Sequence, residues 1–310
     1  MEIITSNPRR IPMKLATAPI RPLVSLGVGL AMGATALLGA PGAAAAAPPE
    51  GAYWHSRSLI TLTHPWRFGS RSDPYSLVQR RVSESWQAPD GRTWFGFREL
   101  GALPQSAADK KAWQRDGSPS KWSESIDGKT VKLSATPAKG SMNPVRDQND
   151  FFLAGQHLTY DEVQRLPADP ATLKDWLRRA GQASRVPSSA LDGWLAGTLP
   201  ELLHSLPVTK EVRAAAYQAL LTMPGVRADG VAKDTLGRSG AVVLIERKSE
   251  GKKNKGSSRT RLIVDTGTMM LLSQERRALN DGKQVPGKDS TETLVEVGWT
   301  DTAPAVPALP

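Results

Sequence analysis

The sequence contains no cysteine. That absence excludes disulfides, thiolate metal sites and a lipid-attachment cysteine together. Histidine is scarce: His55, His64, His157 and His204 are the full set, and none stands at a short metal-binding spacing. No Gly-rich phosphate loop follows an apolar run, and no Gly-x-Ser-x-Gly elbow occurs. Gly237-Arg238-Ser239-Gly240-Ala241 comes nearest to an elbow, with Ala241 where the last glycine belongs. These absences leave no catalytic or metal-binding set and no cofactor.

What the chain does have begins at its start. Arg9, Arg10, Lys14 and Arg21 precede an uncharged stretch, Leu23 to Ala40, which empties into Pro41-Gly42 and the alanines Ala43 to Ala47. A basic start, an apolar middle and a small-residue exit are the order of an export signal. Cleavage after Ala45 or Ala46 fits the pairs Ala43-x-Ala45 and Ala44-x-Ala46. Retention as a membrane anchor is the alternative, and the glycines weaken it, because a spanning helix takes about 20 strongly apolar residues. Gly29 and Gly33 have the Gly-x-x-x-Gly spacing of packed membrane helices, but read better as loosening a signal peptide. Arg9-Arg10 lacks a twin-arginine context, with Pro12 in place of the expected apolar residue. Residues 1–47 are thus expected to be a signal peptide or anchor. The protein is expected to be exported, either secreted or held on the outer face of the cytoplasmic membrane. Its formal charge of +10 falls to +7 without Glu2, Arg9, Arg10, Lys14 and Arg21. Such a protein meets anionic lipid or cell-wall polymer, and nucleic acid is not expected as a partner.

The downstream chain changes period twice. Tyr53 to Phe97 reads as strands, with Ala88-Pro89-Asp90-Gly91 as a hairpin turn. Six of the nine tryptophans fall between Trp54 and Trp122, a density suited to a sheet face covering helices or a ligand. Residues 101–150 read as a long polar excursion with one short strand, Thr130 to Leu133. Helical signals follow. Thr159-x-x-Glu162 is a capping box opening a helix to Leu166, and Asp169-Pro170 starts a second that Gly181 ends. A third runs from Ser189 to Leu206, bent at Pro200, and Thr209 caps a fourth that Pro224-Gly225 stops. From Val226 the chain reads as an antiparallel meander, with strands at Val226–Lys233, Ala241–Arg247, Arg261–Asp265, Met269–Arg276 and Glu292–Trp299. The Pro-Ala-rich tail, 301–310, is expected to be disordered. The fold class that follows is α+β: one domain over 48–300, a curved antiparallel β-sheet (a half-barrel) wrapping a few α-helices.

Three strings invite chemistry. Asp265-Thr266-Gly267 resembles the aspartic-protease loop, but a carboxylate dyad needs a second copy and none is present. A hairpin turn is the better reading. Ser118-Pro119-Ser120-Lys121 has Ser-x-x-Lys spacing without a helix start or a Lys-Thr-Gly strand, so it reads as a loop. Arg247 to Arg261 carries seven basic residues and one acid. It reads as a projecting hairpin tip whose Lys248, Lys252, Lys253, Lys255 and Arg259 are candidates for an anionic surface.

Taken together, several residues in order resemble a family of uncharacterised actinobacterial exported or membrane-anchored proteins. They are Tyr53-Trp54, Val78 to Trp86 with Asp90-Gly91-Arg92, Leu158 to Leu166-Pro167, Leu173 to Leu177, Val212 to Tyr217, Leu221 to Val226, Gly237-Arg238, and Asp265-Thr266-Gly267 with Leu271-Leu272. Members are often encoded beside sigma factors, which implies an envelope sensing role. The strand–helix–strand order is also similar to the lipoprotein-carrier (LolA-like) and RseB-like fold. That fold encloses a lipid-sized apolar pocket. The resemblance makes Trp54, Trp86, Trp94 and Trp176 candidates for a concave lining. The expected function is therefore non-enzymatic binding of an apolar or lipid-like ligand, or of an envelope partner. The alternative is an exported hydrolase acting on cell wall or peptides.

Overall fold

A computed structural model describes residues 48–310 apart from 127–128, 249–255 and 281. The expected export segment, 1–47, lies outside the described residues, as do Lys252, Lys253 and Lys255.

Strands β1 (Tyr53–Phe68), β2 (Tyr75–Gln87) and β3 (Arg92–Pro104) run antiparallel. The expected hairpin turn joins β2 to β3. Gly91 N–H donates to Ala88 O at 2.8 Å, and Ala88 N–H donates to Arg92 O at 2.9 Å. Gly91 has φ +86°, which side-chain-bearing residues rarely adopt.

The polar stretch 101–150 is structured, contrary to the reading of a long excursion. It holds the end of β3, helix α1 (Ala107–Arg115), the hairpin β4 (Lys121–Ile126) and β5 (Lys129–Ser134), and β6 (Ser141–Asn149), which extends the main sheet beside β3. The expected strand, Thr130 to Leu133, falls inside β5. Composition concealed the rest because α1 and β4–β5 contribute few side chains to the interior. Ala112 and Trp122 join Phe68, Tyr75, Leu77 and Ala102 in a small second core. Trp122 Nε1 donates to Tyr75 Oη at 2.9 Å, and Tyr75 Oη donates to Asp116 at 2.8 Å. Burial pushes the fully enclosed Tyr75 hydroxyl up to about 12. The unfolded phenol loses its proton near pH 10. This tyrosine's contribution is therefore present below pH 10 and is lost as pH rises from 10 towards 12. Tyr75→Phe should leave Trp122 Nε1 without an acceptor and cost about 1–3 kcal/mol. It should also remove the latest-ionising tyrosine from an ultraviolet titration, and an unchanged titration would refute the assignment.

A short hairpin, β7 (Phe151–Leu153) and β8 (Gln156–Leu158), leads into the helices. Helix α2 (Tyr160–Gln164) carries the expected capping box: Thr159 accepts from Glu162 N–H and Glu162 accepts from Thr159 N–H. Asp169 caps α3 (Pro170–Ala183) with proline at its first turn. Gly181 does not end α3. A Cβ there would stand 2.8 Å from Leu191 Cδ1 and 2.9 Å from Trp194, so this glycine lets the following helix close on α3. The expected long third helix is divided in three: a 3-10 turn (Ser188–Ala190), α4 (Leu191–Thr198) and a second 3-10 turn (Leu199–Leu203) containing Pro200. Helix α5 (Lys210–Leu221) starts at the Thr209 cap.

Strands β9 (Val226–Lys233), β10 (Ser239–Lys248), β11 (Gly256–Asp265), β12 (Met270–Asn280) and β13 (Lys283–Thr300) form the predicted meander. Strand β13 returns beside β1, with Tyr53 opposite Thr300. The main sheet has nine strands in the order β6-β3-β2-β1-β13-β12-β11-β10-β9. Its end strands, β6 and β9, do not pair with each other, so the sheet is open rather than a closed barrel. Register shifts within β1–β13, β2–β3 and β11–β12 bend it. The helices pack on one face, where Leu173, Leu177, Leu195, Leu199 and Leu220 bury against Val243, Leu262, Val264 and Leu294. Each such side chain contributes about 1.5–3 kcal/mol on burial. No helix among the described residues is long and apolar enough to cross a membrane.

The tail also departs from expectation. Asp301–Pro310 has no regular secondary structure, yet it lies against the sheet: Pro307 is buried, and Arg57 Nη2 donates to Ala308 O at 2.9 Å. The Pro-Ala composition concealed this, because the anchors are prolines and a backbone carbonyl.

Candidate functional site

The strand register places the tryptophans singled out from the sequence. Trp54 pairs with Gln87, whereas its neighbour His55 pairs with Trp86. Successive strand residues alternate between faces, so Trp54 and Trp86 point to opposite sides of the sheet. Trp54 faces the helices and donates from Nε1 to His204 O at 3.2 Å. Trp176, on α3, packs against the helical core. Trp86 and its register partner Trp94 occupy the other face. There Trp86 stacks on His55 at 4.8 Å, and Trp94 meets Tyr53 edge-on at 5.6 Å. The four therefore do not line one concavity. Sheet parity separates them, and a list of aromatic positions does not carry parity across a turn.

The concavity lies elsewhere, between the sheet and the α4 end of the helical layer. A cleft of about 390 Å³ opens there, within the range of small-molecule sites. Ala196 and Pro200 form one wall, Ile245 and Leu262 form the floor, and Arg247 and Arg276 stand at the polar side. Register explains the floor. Ile245 pairs with Thr260, Leu262 with Gln274, and Thr260 with Arg276, so all five face the helices. Thus the strands that bury apolar residues under the helices carry arginines on the same face farther along.

Arg247 is seated on α4. A Cβ at Gly197 would stand 3.1 Å from its Nη1, and one at Gly193 would stand 3.6 Å from its Nη2. Glycine inside a helix costs about 0.5–1 kcal/mol relative to alanine. Here a pair one turn apart gives the guanidinium room to lie on the helix. Arg276 is oriented differently: its Nη2 donates to Gln274 Oε1 at 3.1 Å, and Gln274 Nε2 donates to Glu292 at 2.5 Å. Among the described residues, no carboxylate lies within 4.0 Å of either guanidinium, whereas Arg259, Arg238 and Arg57 each have one. His204, whose Nδ1 lies 3.2 Å from Pro200 O, does not line the cleft; burial holds its imidazole below the usual range, against the opposing pull of Glu292. The cleft thus combines apolar lining with cationic donors at one side. That combination suits an anion joined to an apolar body. Sequence reasoning missed it, although paired glycines in a short helix were a readable signal.

The other strings are structural. Asp265-Thr266-Gly267 is the turn between β11 and β12, as expected. The Asp265 carboxylate accepts from Thr268 Oγ1 at 2.7 Å and Gly267 N–H at 2.9 Å, and these bonds hold it below the usual carboxylate range. Ser118 lies between α1 and β4, away from any helix start. The near-elbow at Gly237 is the β9–β10 turn, organised by Asp234. Among the described residues no cluster of histidine and carboxylates could hold a metal. Of the basic-surface candidates, Arg259 is paired with Glu246 at 2.9 Å, and Lys248 ends β10.

No family model matches the chain, and no curated protein matches it. A solved structure of a beta-barrel-like protein of a domain of unknown function from Brucella abortus aligns with 82% of this chain and 100% of its own, at 12% identity and a TM-score of 0.19.

Proposed function

We propose that this chain is a non-enzymatic, exported binding protein whose cleft takes an amphiphile with an anionic head group. The observation that carries this reading is the Arg247 guanidinium, laid on the Gly193–Gly197 step of α4 beside a floor of Ile245 and Leu262. An apolar chain would lie in the cleft over the little of Ile245 that is exposed, and Arg247 and Arg276 would take the head group by charge-assisted hydrogen bonds. Location supports it. Residues 1–47 have the order of an export signal, and anionic lipids are the abundant amphiphiles of an envelope. The sequence joining β10 to β11, two strands that line the cleft, carries Lys252, Lys253 and Lys255, a charge run suited to anionic lipid.

Titration with dodecyl phosphate and with dodecyltrimethylammonium tests the reading. Dodecyl phosphate should bind, and dodecyltrimethylammonium should not. Arg247→Glu and Arg276→Glu should each weaken dodecyl phosphate at least about tenfold, since a hydrogen bond to a charged group is worth about 1.5–3 kcal/mol. Gly197→Ala should weaken it less, by displacing Arg247 a few tenths of an ångström. Equal binding of the two detergents would refute the reading. So would a ligand-free native mass spectrum of protein from its own host, combined with hydrolysis of wall or peptide substrates. N-terminal sequencing of the mature protein tests export, and an intact Leu23–Ala40 segment would replace a free carrier with a tethered one.

A further inference from the structure

We infer that the head group selected by the cleft is a dianion, a phosphate monoester held between Arg247 and Arg276 over strand β11. This head group rests on the amphiphile reading and narrows its ligand from any anion to one that carries two negative charges.

The charges around the cleft point to it. Three arginines line the cleft: Arg247, Arg276 and Arg277. Arg277 is occupied, because its guanidinium donates to the Glu275 carboxylate. Arg247 follows Glu246 on β10, but successive strand residues face opposite sides, and the Glu246 carboxylate is shared by Arg227 at 3.3 Å and Arg259 at 2.9 Å. Arg276 meets an amide where a carboxylate would have neutralised it. Gln274 accepts from Arg276 Nη2 at 3.1 Å and donates its own N–H to Glu292. Gln274 thus orients the guanidinium and keeps Glu292 one hydrogen bond farther off. Among the described residues, two cationic groups are left facing the cleft with no carboxylate in contact.

Register sets these two groups on either side of one strand. Arg247 on β10 pairs with Ser258 of β11, and Arg276 on β12 pairs with Thr260 of β11. Strands lie about 4.8 Å apart and rise about 3.3 Å per residue, so the two arginine Cα atoms stand about 12 Å apart. Two long side chains can close that gap from its two ends. Ser258 and Thr260 lie between them and also line the cleft. A tetrahedral head group above β11 would receive guanidinium N–H groups from two sides and hydroxyl groups from the strand beneath. A monoanion there would balance one guanidinium and leave the other unpaired. A phosphate monoester carries about −1.5 to −2 at pH 7, because its second proton leaves near pH 6, and so balances both.

The test sets dodecyl phosphate against dodecyl sulfate, both below micelle formation, by titration of the full chain between pH 5 and pH 8. The sulfate ester holds a single charge throughout. At pH 8 dodecyl phosphate should bind at least about tenfold more tightly, and the ratio should fall to about threefold or less at pH 5, where both ligands are monoanions. Protein groups titrate as well. Burial pushes the Glu201 carboxyl up, against the pull of Arg276, and Glu292, Glu275 and His204 also lie near the arginines. The sulfate profile records their effect, so the ratio isolates the second ionisation of the phosphate. Arg276→Gln should bring the pH 8 ratio to about threefold or less by leaving one cation. Gln274→Glu should do the same by neutralising Arg276 in place. Arg276 is exposed, so its variant keeps the test valid even where a carboxylate at the buried position 274 unfolds the sheet. A ratio near one at pH 8, a ratio independent of pH, or a ratio unchanged in Arg276→Gln would overturn the inference and leave the amphiphile reading standing. Binding of neither detergent would refute that reading, and the dianion with it.

Discussion

Arg238→Ala is expected to destabilise the protein by about 3 kcal/mol, the lower end of the range for breaking a buried ion pair. The lower end applies because the guanidinium is partly solvated while its partner is not: side-chain exposures are 35% for Arg238 and none for Asp234. Asp234 accepts from the backbone N–H groups of Leu236 and Arg238, each at 2.9 Å, and from Arg238 Nε at 2.8 Å. The same guanidinium reaches past the β9–β10 turn and donates to Leu272 O at 3.2 Å and Leu294 O at 2.5 Å. Removing it strands a carboxylate and two carbonyls together. Burial alone would push the Asp234 carboxyl up, but the hydrogen bonds to Arg238 outweigh burial and the net shift is downward. A carboxyl lowered in the folded state adds stability above its unfolded value, near pH 4, and that stability is lost as pH falls through the folded value. In the variant the counter-charge is gone and burial dominates. Urea denaturation should therefore show a large gap between variant and wild type at pH 7 that narrows towards pH 4. A gap independent of pH would refute the assignment. Arg238→Lys should not restore stability, because an ammonium cannot make the fork of bonds to Asp234 and both carbonyls.

Gly91→Ala is expected to cost about 4 kcal/mol or more, in the range that single substitutions seldom reach. Two effects coincide there. The backbone stands at φ +86°, and a Cβ would fall 2.1 Å from Asp150 N and 2.2 Å from Asn149 C. The second effect is the larger, because both atoms are backbone and belong to the chain leaving β6. Gly91→Asn separates the effects. Asparagine tolerates a positive φ better than alanine, yet its Cβ meets the same atoms. Both variants should thus be similarly unstable in thermal denaturation. A markedly milder asparagine variant would mean that conformation, not close approach, requires glycine at 91.

The Gly91 turn shows what the sequence reveals and what it conceals. Pro89-Asp90-Gly91 is visible as a turn because local backbone demands are written in local residues. The same holds for the Thr159 capping box, the Asp169-Pro170 start and the meander strands, whose type and order agree with the sequence reading. The contact between Gly91 and Asp150 is not visible, because it depends on where β6 returns. Most of 101–150 reads as irregular for a related reason: α1 and β4 give the interior little beyond Ala112 and Trp122, and only Val131 and Leu133 of β5 leave a strand signal. The cleft shows the same limit. Ile245 and Leu262 are readable as strand core, but the company they keep with Arg247, Arg276 and the α4 glycines is set by register. The tail anchors through prolines and one carbonyl, which hydropathy does not score.

The pairing of β1 with β13 has a consequence in time. Tyr53 meets Thr300, so the first and last strands of the sheet are central neighbours and close a loop of nearly the whole domain. Closing long loops is entropically slow relative to forming local hairpins. On a chain made from its N-terminus, β1, β2 and β3 can assemble early, but the open side of β1 has no partner until residue 300 has been made. Throughout that interval β1 presents bare backbone donors and acceptors, which other unfinished chains can pair with. The join that completes the sheet is thus also the last to form, and the period before it closes is when the protein is most exposed to misassembly.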